Sequence, residues 1–493
     1  MNRRDFMAAL GAGTFFALMP GQRSYAANQA DLANLDLMDT AAAIASGEVS
    51  MMEVTYAAMD RIDALDPQLN AVVTKSYDYG LRQLAKGRQG PLAGVPYLLK
   101  DLNPLAGVRL TNGSRLFSSY TAQKNFPFTD KVLDTGVVIL GKTNTPEFGL
   151  MPTTEPIANG PSRNPWNTEY STGGSSGGAA AAVAARMVPA AGASDGGGSI
   201  RFPSSACHLF GIKPSRGRFG GQNNPRRLVD LSVKHTISRT VRDSAYLMAL
   251  TENGEGATLP PIGFIEGPSN QKRKIALSYN VRDITPDADT KRVVGHVAKT
   301  LEKLGHEVEL VNKTPHDDPI FQDLFTKIWA SGARDLLAVA EQMIGMPATK
   351  SKLLEPNTLK MIEMFAPITA DDGQFVKDTI VRLQGEMNNF MANYDAWLTP
   401  MSPMATPKLG YFIADLPAEE LMGRSAHYAS YTPIHNALGT TAMSVPGGFS
   451  SNNIPMGVQI AANVGQEAVL LDLAYQLEAT IPWGDQKPPI VAG

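Results

Sequence analysis

Between Gly173 and Gly198 the chain sets two serine clusters in glycine frames. The first is Gly173-Gly174-Ser175-Ser176-Gly177-Gly178 and the second is Ser194-Asp195-Gly196-Gly197-Gly198-Ser199, with an alanine-rich run from Ala179 to Ala185 between them. Eight of the 45 glycines fall in this one segment. Consecutive glycines permit unusual backbone angles and let several N–H groups converge on one point, which suits an anion or an oxyanion. A phosphate cradle of the G-x-x-x-x-G-K-[ST] kind would need a lysine that is absent, and the dinucleotide fingerprint fails because Arg201 takes its last place after Gly196 and Gly198. Gly174 to Gly178 does satisfy G-x-S-x-G, with Ser176 as nucleophile, but none of the downstream histidines has a context that marks it as the partner. A flexible linker is disfavoured by the apolar surroundings and by the sequel Arg201-Phe202-Pro203. A third chemistry needs a base, and Gly94-Val95-Pro96-Tyr97-Leu98-Leu99-Lys100-Asp101 places Lys100 after a tight turn and a run of apolar or aromatic residues. Exposed, Lys100 is an ordinary strand-end cation. Buried, its amine would be neutral near working pH and could serve as a general base.

The elements that must position these groups alternate. Ser50-Met51-Met52-Glu53 is a capping box followed by helical spacing to Leu65, with Asp66-Pro67 as the expected stop. Lys274 to Tyr279 reads as a strand, Val293 to Leu304 as one helical face ended by Gly305, and Val308 with Leu310 as a second strand, which together make a βαβ unit. Val137 to Leu140 is another short apolar run and Glu467 to Glu478 a final amphipathic helix, while 217–227 and 253–270 read as loops. Strands alternating with helices predict an α/β fold, one large domain with a twisted, mixed, largely parallel sheet flanked by helices.

Composition narrows the class. With 493 residues, 43% hydrophobic and 18% charged, and a net charge of −3, the chain lacks both the polarity of a disordered protein and the basic surplus of a nucleic-acid binder. A single cysteine, Cys207, allows no intrachain disulfide and no cysteine-based zinc site, and no H-E-x-x-H motif occurs. Neither a metal nor an organic cofactor is expected. Residues 1–26 read as a cleaved export signal: Arg3-Arg4-Asp5-Phe6-Met7, an apolar stretch to Pro20 too short for a bilayer helix, and Ser24-Tyr25-Ala26 as the cleavage site. The paired arginines resemble a twin-arginine signal, which predicts a periplasmic or secreted protein without a stable membrane anchor.

Taken together, these motifs resemble the amidase signature family of serine hydrolases. Gly94 to Asp101, Gly141-Lys142-Thr143-Asn144-Thr145-Pro146-Glu147, Arg163-Asn164-Pro165-Trp166-Asn167, both Gly/Ser segments and Gly211-Ile212-Lys213-Pro214 stand in that family's order. The likeness continues through Tyr394 to Pro400 and Ile454 to Ile460, and is weakest from about 220 to 435. It implies an amidase domain over 27–493 with a Ser–cis-Ser–Lys triad: Lys100 as base, Ser175 as bridging serine, Ser199 as nucleophile. The N–H groups of Gly196, Gly197, Gly198 and Ser199 would then hold the oxyanion, and Asp195 and Arg201 would orient the loop. Cys207 falls in the motif as a small core residue. Two departures stand out: Gly196 replaces the family's usual threonine, which puts the rigidity of the oxyanion loop in question, and Thr172 replaces a proline. Leu150 and Met151, and more loosely Met361 to Phe365 and Met401 to Met404, are candidates for the substrate pocket. Within the family the chain looks most similar to hydrolases of the 6-aminohexanoate cyclic dimer type, which suggests uncharged linear or cyclic amides as small-molecule substrates, with ester or carbamate cleavage as a side activity. A homodimer is compatible with all of this. Two other readings remain open here, the amidase-fold component of a transamidation complex and a non-catalytic periplasmic binding protein.

Overall fold

The computed structural model describes residues 29–220, 228–347, 350–364 and 369–492; the segment read as an export signal lies outside the described residues. Thirteen strands occur among the described residues: β1 (Val72–Lys75), β2 (Pro96–Lys100), β3 (Val138–Thr143), β4 (Arg163–Asn164), β5 (Asn167–Ser171), β6 (Ala190–Asp195), β7 (Phe210–Lys213), β8 (Val233–Ser238), β9 (Lys274–Leu277), β10 (Glu307–Leu310), β11 (Ala396–Pro400), β12 (Thr441–Phe449) and β13 (Pro455–Ala462). Strands β4 and β5 form a small hairpin of their own. The other eleven make one sheet in the order β1-β3-β2-β6-β8-β7-β12-β13-β11-β9-β10.

The sheet is mixed, as expected. Its parallel pairings lie in two blocks, β3-β2-β6 and β11-β9-β10. Between them run antiparallel strands, including the β12–β13 pair that joins the two halves. The βαβ unit read from the sequence is β9, the helix Ala288–Lys303 and β10, with β9 stopping at Leu277, short of Tyr279. Val308 is half-buried and Leu310 exposed, because β10 is the sheet's edge. The capping box at Ser50 forms as read, but the helix runs Met51–Leu69 and passes through Pro67. Proline has no N–H to give the helix there, and the chain beyond it is fastened instead by Asp66, which accepts the backbone N–H groups of Ala71 and Val72, while Asn70 closes the helix in the left-handed conformation. Residues 253–270 are loop, as read, and so is the described part of 217–227.

Two layers of this architecture matter for the site. Strands β2, β3 and β6 are buried along their whole length, and the alanine-rich run forms the helix Gly177–Ala184, buried on every side. Alanine favours the helix and takes little room. The helix therefore packs against Ala58, Ile62, Leu98, Val138 and Ala191 without pushing the strands apart. Cys207 is part of the same buried cluster. The second layer is the helix Ile320–Ile344 with its neighbours Pro356–Met364 and Ala370–Met391, which covers the sheet's other region and carries an aromatic stripe, Phe321, Phe325 and Trp329. No helix among the described residues is long and apolar enough to cross a membrane.

Candidate active site

Strands β2 and β6 are parallel neighbours, so their carboxyl ends emerge side by side, the usual place for a site in an open α/β sheet. Lys100 is the last residue of β2, and Ser194 and Asp195 are the last residues of β6. The helix Gly177–Ala184 starts immediately after Ser175 and Ser176 and brings the first glycine frame to the same end. The three segments that sequence reasoning singled out thus converge.

Lys100 is wholly buried, and its Nζ lies 2.7 Å from Ser175 Oγ and 3.0 Å from Ser194 Oγ. Burial disfavours the charged amine, and Lys234 nearby adds repulsion; these outweigh the attraction of Asp195 and drive the Lys100 pKa well below the usual lysine range. Lys234 stands directly across the antiparallel β6–β8 ladder from Ser194. The peptide bond between Gly174 and Ser175 is cis. A Cβ on Gly174 would come within 2.3 Å of the Thr153 carbonyl oxygen, so only glycine fits beside this serine.

Ser176 is buried, and its hydroxyl holds the main chain of Ser194, donating to the Ser194 carbonyl at 3.2 Å and accepting from the Ser194 N–H at 3.3 Å. That leaves it a fastening and not a nucleophile. Ser199 instead lines the large pocket, half-exposed to it, and its carbonyl accepts the Ser176 N–H at 3.3 Å. The side-chain hydrogen bonds run from Lys100 as far as Ser175; Ser199 is attached to that cluster through its backbone.

The loop between Asp195 and Arg201 is held by one buried ion pair. Arg201 Nε and Nη2 each donate to an Asp195 carboxylate oxygen at 2.9 Å, and both side chains are fully buried. The remaining donors of Arg201 reach the Thr432 carbonyl, Gln459 Oε1 and Asn436 Oδ1, so all five are used. Burial alone would raise the Asp195 pKa, but Arg201, with help from Lys213 and Asn436, holds it well below the usual carboxylate range. Asp195 also accepts the N–H groups of Gly198 at 2.7 Å and Ile200 at 3.1 Å. Of the expected oxyanion donors, the Gly198 N–H is given to Asp195, whereas those of Gly196, Gly197 and Ser199 have no acceptor among the described residues. Removing one partner of such a pair strands a buried charge, so Arg201→Met is expected to cost about 3–5 kcal/mol of stability. The check is a denaturant midpoint that falls at unchanged slope, and a loss under about 1 kcal/mol would contradict the ion pair's role.

Gly196, where the resemblance leads one to expect threonine, faces open space: the nearest atoms to an added Cβ are those of Ser232 at 4.0 Å. The loop's shape is set by Asp195 and not by the side chain missing at 196. Gly196→Thr is accordingly expected to change stability by no more than about 0.5 kcal/mol, whereas Gly174→Ala should lose at least about 2 kcal/mol by overpacking. Thermal melts of the two variants side by side decide this, and a destabilised Gly196→Thr would refute it.

Ser199 opens into a pocket with about 870 Å³ of empty space, part of it continuous with solvent, a size that suits a small organic molecule. Leu150 and Met151 line it, as expected, and so does Met361. Met401 and Met404 do not; they pack around a smaller cavity beside Tyr428, and Phe365 lies outside the described residues. Sequence reasoning missed the opposite wall, Phe321, Phe325 and Trp329, whose spacing of four along one helix was the available signal. It also missed Ser194, Asn436 and Gln459, for which only the fold supplies a signal. No cluster of three or more His, Cys, Asp or Glu side chains suited to a metal ion occurs among the described residues.

Comparison with known proteins places the chain in a family. The family model described as Amidase matches residues 53–471. The chain is 35% identical over 471 residues to a putative amidase, AmiC, of Mycobacterium tuberculosis, covering 94% of this chain and 98% of that one. It is 31% identical to the 6-aminohexanoate-cyclic-dimer hydrolase of Paenarthrobacter ureafaciens, covering 93% and 98%. A solved structure of 6-aminohexanoate cyclic dimer hydrolase complexed with substrate superposes with a TM-score of 0.87 at 30% identity, over 93% of this chain and 99% of that chain. The chain belongs to the amidase signature family and is an amide-hydrolysing enzyme.

Proposed function

We propose that the enzyme cleaves small-molecule amides through an acyl-enzyme on Ser199, with Ser175 and Lys100 as the proton relay. The observation that carries this reading is the buried Lys100, its amine disfavoured as a cation, 2.7 Å from Ser175 Oγ, with Ser199 lining the pocket and tied to the same segment through its carbonyl. Neutral Lys100 takes the Ser175 hydroxyl proton as Ser175 takes that of Ser199, and Ser199 Oγ bonds to the amide carbonyl carbon. The tetrahedral oxyanion meets the free N–H groups of Gly196, Gly197 and Ser199, each worth roughly 10²–10³ in rate where such donors have been removed elsewhere. The relay returns the proton to the leaving nitrogen, the C–N bond breaks and the amine departs. Water then attacks the ester, and Ser199 recovers its proton. Asp195 and Arg201 act by holding the loop, touching no reacting atom.

The apolar walls and open volume of the pocket support aryl or alkyl amides, linear or cyclic, and the same chemistry extends to esters. Screening purified protein against amides, esters and carbamates of graded size, with Ser199→Ala as the blank, tests the reading; turnover that persists in the blank would overturn it. Export to the periplasm or medium by the Arg3-Arg4 signal belongs to the same proposal. A mature N-terminus near Ala27 would support it, and an intact Met1 on protein recovered from the cell would refute it.

A further inference from the structure

The pocket is apolar over most of its wall, and of the described residues that line it Arg282 alone carries a formal charge. Arg282 is held in place by its backbone. It takes a left-handed conformation with φ of 52°, its N–H donates to Asp317 Oδ1 at 2.8 Å, and its Nη1 donates to the His316 carbonyl at 3.3 Å. No carboxylate among the described residues pairs with the guanidinium. Asp283 and Asp317 act on it only through their field, and Asp317 is occupied by the Arg282 N–H and by the N–H and hydroxyl of Thr314. Partial burial lowers the Arg282 pKa, yet a guanidinium keeps its charge at any working pH. A half-buried cation with spare donors on an apolar wall is costly unless something that enters the pocket supplies the anion. Two hydroxyls on the same pocket are also unsatisfied: Ser430 Oγ, on a residue 3% exposed, and Ser425 Oγ have no hydrogen-bond partner among the described residues.

We infer that the pocket selects amides whose apolar body ends in a carboxylate, with Arg282 as the specificity-determining residue that binds it and the unpartnered serine hydroxyls completing the polar end. This rests on the pocket being the substrate site of the proposed amidase, and it departs from the uncharged amides suggested by family resemblance. Aromatic residues Phe325 and Trp329 would hold the body between that carboxylate and Ser199.

The test uses the Ser199→Ala protein, so that binding is read without turnover. Calorimetry compares two matched pairs: a p-nitroanilide of an ω-carboxyalkanoic acid against that of the alkanoic acid of equal length, and a 4-(acylamino)benzoate against the acyl p-toluidide. At least one carboxylate is expected to bind about tenfold or more tightly than its neutral partner, as a charge-assisted hydrogen bond in a dry pocket implies. Adding Arg282→Gln should abolish that ratio and Arg282→Lys should keep part of it, with thermal melts reporting whether each variant is folded. In the Ser199→Ala protein itself, the ratio should also shrink as salt is raised. Equal affinities in both pairs, a ratio that survives Arg282→Gln, or a ratio indifferent to salt would each overturn the inference. Loss of catalysis alone would not, because the proposed acylation of Ser199 is read separately, by turnover of the neutral anilides.

Discussion

Replacing Ser199 by alanine is expected to lower kcat/KM by roughly 10⁵-fold or more while the fold stays intact, the scale at which loss of the attacking hydroxyl is felt in serine hydrolases generally. The structure explains why the loss should be so large. Ser175 and Ser176 are both buried, Ser175 against Lys100 and Ser176 against the main chain of Ser194, so neither can take over attack on a substrate held in the pocket. The fold should survive because Ser199 Oγ makes no hydrogen bond to another described residue, and the loop is shaped by Asp195 and Arg201. Steady-state rates on any amide that the screen identifies check this, with melting temperature as the control. A loss below tenfold would place the nucleophile elsewhere.

Lys100→Ala is expected to cost less but still heavily, roughly 10²–10⁴-fold, the usual range for a general acid–base group. Its second signature is the pH profile. Neutral Lys100 is the active form, so activity should rise with pH through a pKa far below that of an ordinary lysine, about 10.4. That acidic limb should vanish in the variant. The stability consequence has the opposite sign from the catalytic one. In the unfolded chain Lys100 binds its proton up to its ordinary pKa, but in the fold burial and Lys234 disfavour the charge. Folding therefore works against this proton at every pH below the unfolded value, and stability rises with pH as the unfolded chain loses it. Lys100→Met should remove that cost. The variant is expected to be at least as stable as the parent at neutral pH, with the difference narrowing as pH climbs toward 10. Melts of both proteins across pH test it, and a variant less stable at low pH than at high pH relative to the parent would contradict the burial of an uncharged amine. Such an opposition between stability and function is typical of active sites.

Much of the site was legible because its chemistry sits in contiguous sequence. Ser175, Asp195, Ser199 and Arg201 stand in short runs rich in glycine and small residues and Lys100 in a short apolar run, and each run leads into or out of a buried strand or helix that positions it. What contiguity did not reveal were the partners that come from far along the chain. Asn436 and Gln459 reach Arg201 across more than two hundred residues, and nothing local marks either as different from an ordinary polar residue. One feature of the glycine loop was hidden for a related reason: that Asp195 spends its carboxylate on the Gly198 N–H is a matter of side-chain direction, which spacing does not report. The pocket was the least legible part. Its aromatic wall and Arg282 lie between 220 and 435, where the family motifs are weakest, and helical amphipathicity there reads as core packing unless the cavity itself is seen.

In the sheet, the alternation of strands and helices announced the βαβ unit of β9 and β10 and a mixed, largely parallel sheet, but not which strands run antiparallel. Strands β12 and β13 are joined by a short turn with no helix, and β8 returns against both β6 and β7. Periodicity identifies a strand, whereas its direction depends on which neighbour it meets.

The central claim, covalent catalysis at Ser199, is most directly tested by trapping the acyl group. The enzyme is mixed with an activated p-nitrophenyl ester, quenched in acid within its first turnovers, digested and mapped by mass spectrometry. One acyl group on the peptide that carries Ser199, absent from the Ser199→Ala protein, is the predicted result. An acyl group on Ser175 or Ser176, or continued turnover with no adduct in either protein, would contradict it.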